Sequence, residues 1–447
     1  MAQKMKIILC LHHFLPEFVG GTEIYVANLA RQFLQAGIEV VVVIPNLGID
    51  AAEEYFYEGI RVIKYAENSI EDRPMILGKK KPCGLEIFSQ IVKKEKPDLV
   101  HFHELAPGRG INIFHVEEIR KLKIPLVITF HVPFYTCLRG SLLYRGQQKC
   151  DGEIIIKRCS ACMYQQKNIN GIKAFILNSL AMGLFNLNID STSLNSSAGT
   201  ALGFPFVIDK MKKDLIRLSF LAEKIVVIAN WYQQVLKRNS VPDNKLVFIK
   251  QGLPNQEIRR VNKSPFAVPL RVIYIGRITP LKGLHLLIDS VLKIPSDKVE
   301  LDIYGSEKDT TYVNECKGKT RFNRNIKWKG LVSSLEVIST LSSYDILCVP
   351  SSFEMSPLVI QEAFAAGTPV IASNVYGNAE HIREGENGWL FDLSDENDLR
   401  NKLENLIARP ELVNNARKRI TPVNSFDKVG KEHVEVYNSI CRNYQRN

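Results

Sequence analysis

The chain has 447 residues, too many for one ordinary domain, and its 45% hydrophobic and 23% charged residues are typical of globular proteins. Its formal net charge of +11, from 58 basic and 47 acidic side chains, favours anionic partners such as nucleotides or lipid head groups. No interleaved aromatic and basic residues suit nucleic acid, and no apolar stretch reaches the roughly 18 residues of a membrane-spanning helix, so neither class is expected.

The cysteine count bears on the compartment. Nine cysteines, an odd number in a chain with no apparent export signal, predict a reducing, cytoplasmic location. The apolar segment at 5–11 is short and suits a first buried strand better than a signal peptide. The basic excess leaves two interpretations open: a solvated surface, or peripheral attraction to the anionic inner face of a membrane.

The first predicted strand, 6–11, leads into the loop HHFLPEFVGGTE, which opens a helix running to about Ala36. Gly20 and Gly21 would let backbone approach a ligand closely, and the amides at the helix start favour an anion. The loop lacks the GxGxxG spacing of dinucleotide-binding proteins, so NAD is not implied. A tight turn without a ligand explains the two glycines equally well.

Further strands at 39–45, 60–64, 99–103 and 126–130 alternate with helical segments, which is typical of a doubly wound parallel sheet. His103 ends one of these strands, and His131 follows another. In open parallel sheets ligands bind beyond the carboxyl ends of the strands. We therefore expect His131 to have a functional role, although a single histidine is more often structural.

Four cysteines, Cys137, Cys150, Cys159 and Cys162, have the spacing C-x12-C-x8-C-x2-C. The last two can close on one metal ion, and two more thiolates would complete a tetrahedron. The segment has little periodicity, so a metal would help it to fold. We expect structural zinc, with free thiols as the alternative and an iron–sulfur cluster left open. Four thiolate ligands leave no open coordination position, so a catalytic metal is not expected.

The stretch 171–206 is a long insertion with apolar pieces around a middle rich in serine and asparagine. It suits a lid or a membrane-facing surface, and a core helix with a loose loop is an equal alternative. The first domain is predicted over 1–255, and a linker without a clear period over 256–269. A second domain over 270–425 and a helix over 426–447 complete the chain.

The second domain opens with a strand at 270–275, which is followed at once by the loop GRITPLKG. Arg277 offers a planar fork and Lys282 a point charge, both suited to a diphosphate. Gly276 and Gly283 flank the loop. A solvated loop is the alternative.

The segment 346–373 predicts a buried strand, a polar loop, a helix from about Leu358 and another buried strand. Ser356 is the expected N-cap, and Pro357 is tolerated at the helix start. Free amides at such a helix start attract phosphate, and carboxylates accept hydrogen bonds from sugar hydroxyls. Glu354 and Glu362, eight residues apart, therefore indicate a ligand with phosphates and hydroxyls. The alternative is an ordinary strand–helix–strand unit with solvated glutamates.

Together these segments resemble glycosyltransferase family four, whose members have the GT-B fold. The resemblance covers nearly the whole chain and depends on HHFLPEFVGGTE, TFH, GRITPLKG and EMSPLVIQE followed by AFAAGTPVIAS. It implies two Rossmann-like doubly wound domains facing across a cleft. The first would bind the acceptor, the second would bind the nucleotide sugar, and the C-terminal helix would pack back on the first.

The resemblance also implies residue roles. Arg277 and Lys282 would bind the donor diphosphate, Glu362 the ribose hydroxyls, and Glu354 would lie by the donor sugar. The implied donor-binding set is Gly20, Gly21, Gly276, Arg277, Lys282, Glu354, Ser356, Pro357, Leu358, Val359 and Glu362. The implied catalytic set is His131, Glu354, Arg277 and Lys282, with His103 and Glu23 on the acceptor side.

By this resemblance the chain would transfer a sugar from a nucleotide diphosphate donor, with retention and without a catalytic metal. Family frequency favours uridine over guanosine donors. The acceptor would be a glycan or a polyprenyl-linked glycan of a surface polysaccharide. A GT-B nucleotide-sugar epimerase and a non-catalytic nucleotide-sugar binding protein are the alternatives. The cysteine segment and the 171–206 stretch depart from simpler family members, so acceptor identity is the least determined feature.

Overall fold

A computed structural model of the chain describes residues 4–67, 72–108, 110–145, 148–254, 266–420 and 423–444. The chain divides into two compact units. The first contains the residues up to Lys250 together with those from Phe426 onward, and the second is Gln251–Ser425. Residues 251–254 thus belong with the second unit. Most of the predicted linker, 256–265, lies outside the described residues.

The strands of both units are short and mostly buried. They are β1 (Lys6–Cys10), β2 (Glu39–Leu47), β3 (Glu53–Tyr57), β4 (Ile60–Glu67), β5 (Leu99–His103), β6 (Leu126–Thr129), β7 (Leu143–Tyr144), β8 (Gln148–Lys149), β9 (Lys224–Val227), β10 (Leu246–Phe248), β11 (Leu270–Ile275), β12 (Val299–Tyr304), β13 (Ile326–Gly330), β14 (Ile346–Val349), β15 (Val370–Ser373) and β16 (Gly388–Phe391).

Helices connect most of these strands. They are α1 (Gly21–Gln35), α2 (Arg73–Ile76), α3 (Leu85–Glu95), α4 (Ile113–Lys121), α5 (Ile156–Gln166), α6 (Gly171–Asn186), α7 (Ser197–Leu221), α8 (Asn230–Arg238), α9 (Leu284–Val291), α10 (Thr310–Thr320), α11 (Val337–Ser342), α12 (Leu358–Ala365), α13 (Tyr376–His381), α14 (Asp398–Ala408), α15 (Pro410–Arg419) and α16 (Phe426–Tyr444).

The first unit is built on an eight-stranded sheet of order β10-β9-β6-β5-β1-β2-β4-β3. Its strands pair in parallel except for the antiparallel edge pair β3–β4. Strand β5 is buried throughout and β1 is buried from Ile7 to Cys10, as expected where helices cover both faces of a sheet. The predicted doubly wound parallel sheet is confirmed.

The second unit is built on a six-stranded parallel sheet of order β13-β12-β11-β14-β15-β16. One apolar cluster contains Leu287, Leu301 and Leu403, and another contains Leu347, Ile360 and Val370. The chain moves outward from β11 to β12 and β13, then returns to β14 on the other side of β11. The strand order therefore reverses between β11 and β14, which is the position where open parallel sheets bind ligands.

The insertion between β8 and β9 forms helices α5, α6 and α7 of the first unit. Phe185 of α6 and Phe206 of α7 pack edge to face with ring centroids 5.1 Å apart. The hydroxyl of Tyr164 in α5 donates to the carbonyls of Leu177 (3.4 Å) and Ala201 (3.0 Å), which joins the three helices. Among the described residues, no helix is long and apolar enough to cross a membrane.

Candidate active site

The candidate site in the second unit begins at the ends of β11 and β14. These strands are parallel neighbours, with Val272 paired to Ile346 and Ile273 to Leu347. The loops that leave their carboxyl ends, 276–283 and 350–357, therefore emerge at the same edge of the sheet. The predicted donor residues of the second unit lie on these two loops and on the helix that follows.

Direct contacts fasten the two loops together. Lys282 Nζ lies 2.6 Å from Glu354 Oε1. The backbone N–H and the hydroxyl of Ser352 both donate to the carbonyl of Leu281, at 2.9 and 3.1 Å. A Cβ at Gly283, where φ is +69°, would lie 2.0 Å from the carbonyl oxygen of Pro350. Only glycine permits so close an approach in that conformation.

The Arg277 end of the first loop is anchored through its backbone. The hydroxyl of Tyr274 donates to the carbonyl of Arg277 at 2.8 Å, while the Arg277 side chain is exposed. Gly276 donates its N–H to the carbonyl of Tyr304 at 3.1 Å. Tyr274 was absent from the predicted site, although its place near the end of the first strand could have indicated it.

The main chain of Glu354 is held from the opposite side by α13. The N–H of Gly377 donates to the carbonyl of Glu354 at 3.1 Å. A Cβ at Gly377 would lie 2.3 Å from the carbonyl oxygen of Met355. The Glu354 carboxylate is thus presented on a segment that packs against its neighbours on both sides.

The start of α12 corrects the prediction for Ser356. The N-cap of α12 is Pro357, and no N-cap side chain accepts from the first amides of this helix in the described structure. Proline has no side-chain acceptor, so the amides that follow are available to a ligand. Ser356 instead contacts His381, with 3.3 Å between Oγ and Nε2.

Glu362 lies in the second turn of α12. Its side chain is partly exposed, and burial raises the pKa of its carboxyl to about 7. Desolvation disfavours the charged form, so this group is poised between its protonated and ionised states near neutral pH. A ligand that donates hydrogen bonds to the carboxylate would favour ionisation.

These observations indicate which ligand groups can bind at the carboxyl ends of β11 and β14. Lys282 and Glu354 are in contact, Arg277 is on the same loop as Lys282, and the uncapped start of α12 follows Glu354. Cations and helix amides suit phosphate oxygens, while carboxylates suit hydroxyls.

In the first unit, Gly20 is the N-cap of α1, and no side chain caps this helix in the described structure. A Cβ at Gly20 would lie 2.5 Å from Oε2 of Glu23, whereas one at Gly21 would meet nothing within 4 Å. A side chain at position 20 would therefore require the Glu23 carboxylate to move, whereas one at position 21 would meet no such contact. Glu23 is buried, with 2% of its surface exposed.

His131 lies in a buried aromatic cluster. Its Nε2 is 3.0 Å from Nδ1 of His103, and its ring packs against Tyr25 with centroids 5.0 Å apart. Burial, with a smaller contribution from the charge of His433, lowers the pKa of His131 to about 3. Burial also holds the pKa of His103 well below its usual range. Both rings are therefore neutral at pH 7 and can only donate or accept hydrogen bonds.

The cluster continues to residues that the sequence did not single out. The Tyr437 hydroxyl lies 2.5 Å from Nδ1 of His101, and the Tyr25 hydroxyl lies 3.3 Å from Nε2 of His433. His433 and Tyr437 are on α16, which thus packs on α1 and β5 of the first unit. Their spacing of four residues, one helical turn, was the available signal.

Glu104 directly follows β5 and is not among the predicted site residues. Its backbone has φ of +60°, which is uncommon for a residue with a side chain. Burial, and secondarily the negative charge of Glu23, raise the pKa of Glu104 to about 7.

The four cysteines lie close to one another, but their thiols are not arranged to coordinate a metal ion in the described structure. All four line one cavity, and none of them forms a disulfide in the described structure. The backbone N–H of Arg145 lies 3.1 Å from Sγ of Cys162. In the described part of the chain, no group of three or more cysteine, histidine or acidic side chains is placed to hold a metal ion. The thiols would have to move to bind zinc, which stays a prediction.

Comparison with known proteins agrees with this architecture. Residues 255–421 match the family described as Glycosyl transferases group 1, and residues 19–163 match Glycosyltransferase Family 4. An uncharacterized glycosyltransferase of Methanocaldococcus jannaschii, MJ1607, is 30% identical over 445 residues, covering 97% of this chain and 98% of that protein.

Solved structures show the same fold at low identity. Sucrose-phosphate synthase from Thermosynechococcus elongatus has a TM-score of 0.65 and 18% identity, covering 98% of this chain and 99% of that one. HepE from Anabaena, solved in complex with UDP-glucose, has a TM-score of 0.59 and 15% identity, with 97% and 100% covered. The two α/β units with parallel sheets thus define a protein of the GT-B class. The chain belongs to the group 1 glycosyltransferases of family four.

Proposed function

We propose that this glycosyltransferase uses a nucleotide diphosphate sugar and transfers the sugar with retention of anomeric configuration. The observation that supports it most directly is the contact of Lys282 with Glu354, 2.6 Å apart, on loops that also present Arg277 and the start of α12. One edge of the sheet thus offers cations for a diphosphate and a carboxylate for a sugar.

The donor would bind with its diphosphate at Arg277, Lys282 and the first amides of α12, and with its ribose at Glu362. The guanidinium and ammonium groups would stabilise the negative charge that develops on the leaving phosphate. Positive charge supplied in this way makes metal-independent transfer our expectation. Binding of UDP-glucose by HepE supports a uridine donor.

The bond changes of the proposed reaction balance without a protein nucleophile. The bond from the anomeric carbon to the phosphate oxygen breaks, and a bond to the acceptor oxygen forms on the same face. The acceptor hydroxyl passes its proton to the departing phosphate. Neutral His131 would contribute hydrogen bonds to the transferred sugar, because its lowered pKa excludes an imidazolium at pH 7. We infer from the family resemblance a glycan or polyprenyl-linked acceptor in surface polysaccharide synthesis.

A thermal-shift screen of uridine and guanosine diphosphate sugars, followed by product analysis, tests the donor. We expect a nucleotide sugar to raise the melting temperature, and nuclear magnetic resonance of the product to show a retained anomeric configuration. Lys282→Ala and Arg277→Ala should each lower kcat/KM by on the order of 10²-fold. Glu354→Gln should lower turnover far more than nucleotide affinity.

Lys319→Ala is the matched control, because Lys319 is an ion-paired surface lysine of the same unit. Its kinetics should equal those of the unaltered enzyme. Equal activity of the Lys282 and control variants would refute the assigned donor site. Conversion of the donor to its epimer without any acceptor would favour the epimerase alternative.

A further inference from the structure

Helix α6 has an unusual surface for a helix of a globular protein. Five large apolar side chains on it and just after it are each more than half exposed: Ile172, Phe175, Ile176, Leu180 and Leu187. Their spacings of three, four and seven residues place them on one face of the helix. We call these five residues the α6 face. Clustered exposed apolar side chains of this kind mark an interaction surface.

The side of α6 opposite the α6 face packs against α5 and α7, so the α6 face is directed away from them. Asn178 is buried and donates through Nδ2 to the carbonyl of Lys157 in α5, at 3.2 Å. Ala181 is fully buried, and Phe185 packs on Phe206 of α7. Helix α6 is thus held by α5 and α7, and the α6 face points to solvent.

The apolar surface extends beyond the helix into the loop that follows it. Ile189 and Leu194, on either side of a 3₁₀ turn, are also more than half exposed. Asp190 in this loop pairs with Lys79, with 2.5 Å between Oδ2 and Nζ. The contact brings the lysines at 79–81 beside the apolar surface, and of these Lys80 pairs with Asp72.

Basic residues outnumber acidic ones in the segment that contains α5, α6 and the start of α7. Residues 156–208 contain four basic side chains, at 157, 158, 167 and 173, and a single acidic one, Asp190; of the basic ones, Arg158 pairs with Asp151 just before this range. Lys79 neutralises that single carboxylate. An apolar helix face bordered by lysines matches the interface of a bilayer that carries anionic lipids.

We propose that the α6 face docks on the surface of an anionic lipid bilayer. Helix α6 would lie in the plane of the interface, with Phe175, Ile176 and Leu180 inserted among the upper acyl chains. Lys173 and Lys81 would contact the lipid head groups, while Lys79 and Lys80 stay paired with Asp190 and Asp72. A second copy of the chain is a poorer occupant, because the single acidic residue of 156–208, Asp190, already pairs with Lys79 and so offers no carboxylate to Lys173 of another copy.

Flotation with phosphatidylglycerol-containing vesicles at low and moderate salt tests the proposal. The unaltered chain should float with these vesicles and float less as salt rises. The triple variant Phe175→Ser, Ile176→Ser, Leu180→Ser should partition at least about tenfold less. The pair Lys173→Glu, Lys81→Glu should weaken binding to anionic vesicles only, which separates the charge contribution from the apolar one.

The second unit offers a matched control of equal apolar loss. Phe322→Ser, Leu331→Ser, Leu335→Ser removes three side chains that are 87%, 76% and 76% exposed. This variant should float like the unaltered chain. Equal loss in both triple variants, or no flotation of the unaltered chain, would overturn the proposal.

Light scattering distinguishes a second copy as the occupant. A dimer that the α6 variant converts to a monomer, without vesicle binding by either, would also overturn membrane docking. The docking proposal does not depend on the proposed donor chemistry. Nucleotide-sugar binding by the α6 variant should be unchanged, so failure of one proposal is distinguishable from failure of the other.

Discussion

Glu362 shows how one partly desolvated carboxyl can couple ligand binding to pH. It lies in the second turn of α12, and desolvation raises the pKa of its carboxyl to about 7. Ribose hydroxyls can donate hydrogen bonds to the ionised group but gain less from the protonated one. Proton release and donor binding are therefore linked at this residue.

We expect donor affinity to fall as the pH is lowered through about 7. The raised pKa means that the carboxyl is protonated below this value, so affinity should decrease by up to about tenfold per pH unit. Glu362→Gln should bind more weakly at pH 8 and lose most of this dependence. Isothermal titration calorimetry with the nucleotide sugar between pH 5.5 and 8 measures the donor affinity and its pH dependence in both proteins.

Glu315→Gln is the control for this titration, because Glu315 is an exposed carboxylate on α10 of the same unit. Its pH profile should match that of the unaltered chain. If donor affinity depends on pH in the same way in Glu362→Gln as in the unaltered chain, another group is responsible for the dependence.

At the scale of elements, Asp345 fixes the start of β14. It is 1% exposed and accepts from the N–H of Arg271 in β11, at 2.9 Å. The guanidinium groups of Arg271 and Arg417 also reach it, at 3.2 and 2.6 Å. One buried carboxylate thus links β11, β14 and α15, and so positions the two loops of the candidate site.

Removal of this carboxylate should destabilise the second unit. We expect Asp345→Ala to cost about 3–5 kcal/mol, because a buried charge pair would lose one partner. Urea unfolding followed by circular dichroism measures this change in the free energy of unfolding. Asp289→Ala, which breaks the exposed pair with Lys319, should cost less than about 1 kcal/mol. Similar losses in both variants would contradict a structural role for Asp345.

The C-terminal helix α16 is bound to the first unit by buried polar contacts. Nε2 of His433 accepts from the Tyr25 hydroxyl of α1, and its Nδ1 donates to the carbonyl of Val429 within α16, at 2.8 Å. Both nitrogens are thus used by the neutral ring. Burial lowers the pKa of His433 to about 4, and the hydrogen bond to Val429 opposes this shift.

Acid should therefore loosen the first unit. A folded-state pKa below the unfolded value of 6.5 means that unfolding takes up a proton, so stability is lost as the pH falls below about 6.5. His433→Gln should reduce this slope by about 1.4 kcal/mol per pH unit between pH 4.5 and 6. Native-state hydrogen exchange of β1 and β5 measures the slope.

His285→Gln, in the second unit, should leave that slope unchanged. An equal slope in the His433→Gln variant and the unaltered chain would show that His433 does not titrate on unfolding.

At the scale of the whole molecule, the segment that holds Cys137, Cys150, Cys159 and Cys162 differs from the two sheets, because its sequence has little periodicity. Burial raises the pKa of Cys159 to about 11 and also raises that of Cys150. Thiols of this kind stay protonated until a metal displaces their protons.

Elemental analysis of the purified chain tests the zinc prediction. We expect about one zinc per chain, lost in Cys159→Ser and retained in Cys83→Ser, since Cys83 is exposed and distant in sequence from the motif. Chelation should increase hydrogen exchange in residues 137–166 and leave the sheet of the second unit unchanged. Absence of stoichiometric metal would end the zinc hypothesis.

Sequence alone determined the local features of this protein. Short apolar runs, glycines at turns and helix-period stretches predict two parallel-sheet α/β units, because these patterns depend only on neighbouring residues. The loop with Arg277 and Lys282 and the pair Glu354 and Glu362 were likewise recognisable from their spacing. The N-cap of α12 was missed by one residue, since Ser356 and Pro357 both suit a helix start.

Only the tertiary structure decided which distant groups meet. Lys282 contacts Glu354 across 72 residues, and Tyr25 contacts His433 across 408, because sheet order and helix packing bring them together. The pKa of Glu362 and the exposure of the α6 face also depend on what surrounds each side chain. Spacing along a chain specifies periodicity, whereas burial and long-range contact arise from the packing of whole elements.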